Sequence, residues 1–312
     1  MNGRHIYQQF ALWSAATALL GAGGGTLMAW AGAMALAHPP RSRPRQTPAD
    51  FDLPRWEEVR FPAADGLQLV AWFIPPDAAG DGATVICVHG LNANRSKLLP
   101  QAALLARHGY GALLLDLRNH GHSEGQVTTL GYSEVEDVKG AVAYLLRRPE
   151  VNPQRIGLMG HSMGGATVIR AAARLPEVKV VVAESAYSSL EDLLYWRRRE
   201  RWPYRLFPLA PLVIWFGQRE TGVQLDQVRP IDDLAAIAPR PILFMHGERD
   251  QAVPVSNSRR MYEAAAEPKS LYIVEKAYHD GLLAADPPGF EQRVVGFLDQ
   301  YLREEENHEW HE

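Results

Sequence analysis

The apolar run Ile156-Gly157-Leu158-Met159 passes directly into Gly160-His161-Ser162-Met163-Gly164-Gly165. Small and β-branched residues at helical spacing (Ala166, Val168, Ala171, Ala172) begin at once. A strand that turns this abruptly into a helix brings the backbone two residues before the serine against the backbone two residues after it. Glycine is therefore required at 160 and 164. Gly165 then lets the helix close on the strand. A serine at the apex of such a turn is presented at the end of the strand, the setting of a nucleophile elbow. The plainer reading is a glycine-rich turn with an incidental serine; five matched positions in a strand-to-helix context favour the elbow.

Around this turn the chain alternates strand and helix. A hairpin signal, Ala64-Asp65-Gly66, separates β-rich runs at 56–61 and 67–74. Buried strands are expected at 84–88, 110–117, 156–159, 178–183, 241–246 and 270–274, with helices at 97–107, 135–146 and 290–302 among those between and after them. Continuous apolar strands alternating with helices imply an α/β fold with a mostly parallel central sheet covered on both faces. Chemistry in such sheets lies beyond the carboxyl ends of the strands.

With 312 residues, 46% of them hydrophobic, the chain can bury a full core, and one main domain is expected. A net charge of -4 implies no broad basic surface for nucleic acid. The only cysteine, Cys87, lies inside an apolar run, so there is no internal disulfide and no cysteine-based metal cage. A buried, inert thiol is expected.

The termini are distinct from this body. Residues 10–37 carry no charged side chain and are long enough to cross a bilayer, following a short tail at 1–9. Ala35-Leu36-Ala37 resembles a signal-peptidase site, but the run exceeds an ordinary signal core, so a retained transmembrane helix is expected. Arg41, Arg43 and Arg45 follow the span against Arg4 before it, which favours a cytoplasmic catalytic domain. Prolines 39, 40, 44, 48 and 54 mark 38–54 as an extended tether. The domain proper then covers 55–303, and an acidic tail occupies 304–312.

A serine hydroxyl needs a base, and the base an orienting group. Among eleven histidines, His5 and His38 flank the apolar span and His308 and His311 sit in the tail. His161 and His246 occupy positions where structural roles are common. His279 follows the last predicted strand, which brings it to the same sheet edge as Ser162. The acid should fall between them in the order Ser, Asp/Glu, His. Asp250, at the end of His246-Gly247-Glu248-Arg249-Asp250, fits; Glu248 and Glu184 are the rivals. For the oxyanion, Met163 offers a backbone N–H directly after the serine. Leu91, in His89-Gly90-Leu91-Asn92 after the 84–88 strand, is the second donor, with His89 bracing that loop.

From about Val59 to Leu302 the chain resembles the α/β-hydrolase superfamily, most closely its bacterial, often membrane-anchored, serine-aminopeptidase-like branch. The resemblance rests on five ordered blocks: His89-Gly90, Asp116 to Ser123, the elbow, His246 to Asp250, and His279. It implies that Asp116 to Ser123 is a structural loop beside the site, so His120 and His122 are not catalytic. Asn119 stands where the pattern has glycine, a mild departure because asparagine tolerates positive φ. No metal or organic cofactor is implied.

Residues 190–228 exceed an ordinary connection and are expected to form a helical cap. Tyr195, Trp196, Trp202, Tyr204, Phe207, Trp215 and Phe216 interleave there with Arg197, Arg198, Arg199, Arg201 and Arg205. Two readings stand: aromatics packed on the core beneath a solvated basic face, or a cap lying near anionic lipid with 208–216 helping to line an acyl-chain pocket. The expected function is a serine hydrolase of carboxylic esters or thioesters, including lipid-derived ones, with Ser162, His279 and Asp250 as triad. A serine peptidase of small peptides is the enzymatic alternative, and a non-catalytic binding protein on the same fold is the other.

Overall fold

The computed structural model describes residues 23–200 and 209–303. The β-rich runs of the sequence form β1 (Glu57–Pro62), β2 (Gln68–Ile74), β3 (Thr84–Val88), β4 (Gly111–Leu115), β5 (Ile156–His161), β6 (Val178–Glu184), β7 (Ile242–Gly247) and β8 (Lys269–Val274). They make one sheet in the order β1-β2-β4-β3-β5-β6-β7-β8. The hairpin β1–β2 and the pair β2–β4 are antiparallel, and every later pairing is parallel. The order reverses at β3, so loops from opposite halves of the sheet meet beyond its carboxyl edge.

The helices are α1 (23–37), α2 (Leu99–Arg107), α3 (Glu134–Leu145), α4 (Met163–Ala172), α5 (Leu190–Glu200), α6 (Ala210–Thr221), α7 (Pro230–Asp233), α8 (Ser256–Ala264), α9 (Leu282–Ala285) and α10 (Pro287–Leu298). Successive strand residues point to opposite faces, and in β3 both faces are buried. Ile86 and Val88 join a core with α3, α4 and α8, whereas Val85 and Cys87 join one with α2 and α10. That is why β3, β4 and β5 read as unbroken apolar runs. Edge strand β1 alternates exposed and buried residues over its second half. A smaller apolar cluster, including Tyr187, Leu190, Leu193, Val223 and Val228 beside Ala166 of α4, seats the cap.

The expected amino-terminal span falls only partly within the described residues. Among the described residues no helix is long and apolar enough to cross a membrane. Residues 1–22, which hold the expected tail and the first part of the expected span, lie outside the described residues. The described remainder is α1, whose Ala29, Ala33 and Ala37 face is buried. Gly25 lies against Leu209, and Gly32 opposite Val213 of α6. The tight contact at Gly25 lets α1 approach the cap at the start of α6, so in its described part this apolar helix makes a protein contact.

The proline-rich segment is likewise pinned to the body along its length. His38 bonds to the Gln126 carbonyl and Glu220, and Arg41 donates to the Ser123 and Gly125 carbonyls. Asn94 donates to the Ser42 carbonyl, and Pro48–Phe51 forms a 3-10 turn. The expected acidic tail lies outside the described residues. So do Arg201, Trp202, Tyr204, Arg205 and Phe207 of the cap, together with the side chains of Arg197, Arg198 and Arg199.

Candidate active site

The turn between β5 and α4 holds Ser162 at φ 56°, ψ −118°, a conformation that costs a non-glycine residue of order 1–3 kcal/mol. The surroundings hold it there. The Ser162 N–H donates to the Glu184 carbonyl at 2.8 Å. A side chain at Gly160 would run into the Gly164 backbone, and one at Gly164 into the carbonyls of Val88 and His89. Both glycines are thus demanded by backbone contact, as the motif implies.

The loops after β7 and β8 lie side by side. Glu248 N–H donates to the Val274 carbonyl and Arg249 N–H to that of Ala277, each at 3.0 Å. Gly247 leaves no room for a side chain beside the Ala277 and Tyr278 carbonyls. This pairing sets His279 between two partners. The Ser162 hydroxyl donates to His279 Nε2 at 2.9 Å, and His279 Nδ1–H donates to Asp250 Oδ2 at 2.6 Å. Of the rival acids, Glu248 is exposed, and Glu184 bonds to Gln101 instead.

Asp250 is buried, which by itself would favour its neutral form. Hydrogen bonds from His246 and His279 and the Val253 N–H override that and hold its carboxyl well below the usual range. Its other oxygen accepts the Ala252 and Val253 N–H groups at 2.7 and 2.9 Å. His246, fully buried, reaches Asp250 Oδ2 at 3.1 Å while its Nδ1 takes the Ser258 hydroxyl at 2.7 Å. The sequence alone assigns His246 only a generic structural role. The i, i+4 spacing to Asp250 was the available signal that it braces the acid.

His161 does not touch the serine hydroxyl. Its Nε2 bonds the His279 carbonyl at 2.9 Å, its ring lies 5.0 Å from the His279 ring, and burial pushes its pKa down to about 4. A neutral imidazole therefore donates to the backbone of the residue that carries the base. The Ser185 hydroxyl reaches the same carbonyl at 3.3 Å.

Met163 is the first residue of α4, where backbone N–H groups have no helical partner. Leu91 lines a 410 Å³ cavity with Ser162 and His279, and Gly90 packs against the serine Cβ. Lys97 and Asp280 pair at 2.8 Å on the same wall. His89 braces its loop as expected: Nε2 accepts the Leu117 N–H at 3.1 Å, Nδ1–H donates to the Gly90 carbonyl, and burial keeps it neutral with a pKa of about 3.

The Asp116 to Ser123 loop is held by its own network. Asp116 accepts from the Arg95 backbone and side chain and from the His122 N–H. His120 Nδ1 bonds the Arg118 carbonyl, and Asn119 sits at φ 60°. None of these residues shares the cavity wall with Ser162.

The sheet order, the elbow after β5 and the loops after β7 and β8 define an α/β-hydrolase fold. Residues 33–209, more than half of the chain, match the X-Pro dipeptidyl-peptidase (S15) family, and the chain belongs to that family. It is 29% identical over 241 residues to the uncharacterized protein YqkD of Bacillus subtilis, covering 77% of this chain and 78% of that one. It is 25% identical to the thiohydrolase aneE of Aspergillus aculeatus, covering 79% of this chain and 94% of that one. Among solved structures, the Pyrococcus furiosus esterase Pf2001 superposes with a TM-score of 0.69 at 27% identity, covering 85% of this chain and 99% of that one.

Proposed function

We propose that this protein is a serine hydrolase that cleaves carboxylic esters or thioesters through an acyl-enzyme on Ser162. The observation that carries the reading is the continuous line from Ser162 Oγ through His279 to Asp250. His279 takes the hydroxyl proton as Ser162 attacks and returns it to the leaving group. Asp250 fixes the imidazole tautomer and balances the charge it acquires. The N–H groups of Met163 and Leu91 receive the oxyanion, a contribution on the order of 3 kcal/mol per donor in comparable sites. Similarity to an esterase and to a thiohydrolase supports an acyl substrate. The likeness to the serine-aminopeptidase-like branch belongs to this reading and rests on the five motif blocks.

Membership of the S15 family favours a second reading, a serine peptidase. A panel of p-nitrophenyl esters, acyl-thioesters and aminoacyl amides separates the two. Turnover of the oxygen and sulfur esters, lost in Ser162→Ala, is expected; turnover confined to the amides would overturn the ester reading.

We further propose that the amino-terminal segment is a single-pass membrane anchor, with the catalytic domain on the cytoplasmic side. Leu27, Met28 and Trp30 of α1 and Leu212 and Trp215 of α6 are exposed apolar side chains, and Arg219 lies over the Trp215 ring. Flotation with vesicles should carry the full chain upward, more with anionic than with neutral lipid. Full chain that stays at the bottom of the gradient with both vesicle types would remove this placement.

A further inference from the structure

A second cavity lies beside the one that holds the nucleophile. It measures 480 Å³, inside the ~300–1,000 Å³ common for ligand pockets. Met28 and Leu36 of α1 form one wall, Val213 and Ile214 of α6 another, and Leu130 and Leu194 line it as well. Asn92, the residue after Leu91, lines both cavities, so they meet at the loop expected to bind the oxyanion.

Among the described residues, no Asp, Glu, Lys, Arg or His lines this cavity. A peptide's free ammonium or a charged headgroup would lose its hydration there without a partner. A hydrocarbon chain suffers no such loss.

Two glycines on the walls point the same way. Among the described residues, a side chain at Gly217 of α6 would meet nothing within 4 Å, and one at Gly32 of α1 only Val213 at 3.8 Å. Neither turn geometry nor close packing requires glycine at these helical positions, where it weakens the helix. Both glycines line the cavity, so a larger side chain at either position would narrow it.

We propose that this cavity receives the linear acyl chain of the substrate, with α1 as one wall and Gly32 and Gly217 setting the length it accepts. The proposal rests on the serine-hydrolase reading and names its substrate class: esters or thioesters of fatty acids of up to roughly sixteen carbons, taking a methylene as similar in volume to a water at about 30 Å³. Each methylene buried should raise kcat/KM by about fourfold until the cavity is full.

The test uses the full chain with p-nitrophenyl esters of two, four, eight and twelve carbons, comparing wild type with Gly32→Leu, Gly217→Leu and the control Gly296→Leu. Gly296 is an exposed α10 position with the same open surroundings, so its variant repeats the chemical change away from the cavity. A second arm measures binding of a fluorescent twelve-carbon fatty acid to Ser162→Ala and to its double variant with Gly217→Leu, independently of turnover. The twelve-to-two-carbon ratio of kcat/KM should fall tenfold or more in Gly32→Leu and Gly217→Leu but not in Gly296→Leu, and the probe should bind Ser162→Ala but not the double variant. Parallel chain-length profiles in all four proteins, or undiminished probe binding in the double variant, would overturn the proposal. Loss of all ester turnover with probe binding still sensitive to Gly217→Leu would instead strike the hydrolase reading and leave a lipid-binding cavity.

Discussion

At Ser162 a strained backbone and a short line of hydrogen bonds coincide, and the neighbours that hold the line are histidines with no direct contact to the serine hydroxyl. His246 braces Asp250, and His161 holds the His279 carbonyl. Asp250→Asn keeps the shape but permits the wrong imidazole tautomer, so kcat should fall on the order of 10⁴-fold in steady-state assays with KM little changed. Glu184 supplies a separate prediction. Burial pushes its carboxyl up to about 7 from an ordinary 4.5, so the unfolded chain releases this proton before the folded chain does. Folding stability should therefore fall as pH rises through the window from 4.5 to 7 and level off above it. Glu184→Gln removes that loss. Its melting temperature should rise relative to wild type above pH 7 by an amount worth up to on the order of 3 kcal/mol, with little difference at pH 4. Ser162, Asp250 and His279 were legible because the fold fixes their order in the chain and their place at strand ends. The roles of His161 and His246 were not, because they depend on how two loops lie against each other.

The central elements were legible for a different reason. A strand buried on both faces is apolar along most of its length, and β3, β4 and β5 show that in sequence, with polar Thr84 and His161 only at the ends of β3 and β5. The elbow is legible from its glycine spacing in a strand-to-helix context, and it is correspondingly intolerant. Gly164→Ala would press a methyl into the carbonyls of Val88 and His89, backbone that cannot swing aside. A stability loss of at least about 1–3 kcal/mol is expected in denaturant titration, together with loss of ester turnover. Helix α1 shows the limit of such reading. An uncharged run of alanine, glycine and leucine looks the same whether its partner is lipid or another helix, and the structure sets α1 against α6. Ala33 is 1% exposed on the inward face, so Ala33→Asp should lower the melting temperature of the full chain by an amount worth about 1–3 kcal/mol. A melting temperature equal to wild type would argue that this face is free.

Across the whole molecule, one sheet carries two cores, and its carboxyl edge collects residues from β5, β7 and β8 at a single point. Cys87 reports on that sheet. It lies in central strand β3 at 1% exposure with its thiol pushed up to about 12, so reaction with a thiol reagent requires the sheet to open. Labelling rates should track global unfolding across a denaturant series, and rapid labelling of the native protein would show a sheet far looser than the structure describes. The central claim is that this edge makes a covalent acyl-enzyme. Intact-protein and peptide mass spectrometry after treatment with a fluorophosphonate tests it most directly. One adduct, mapped to Ser162, absent from Ser162→Ala and formed far more slowly by His279→Ala, is expected. No adduct on the folded wild-type protein, or equal labelling of Ser162→Ala, would contradict it.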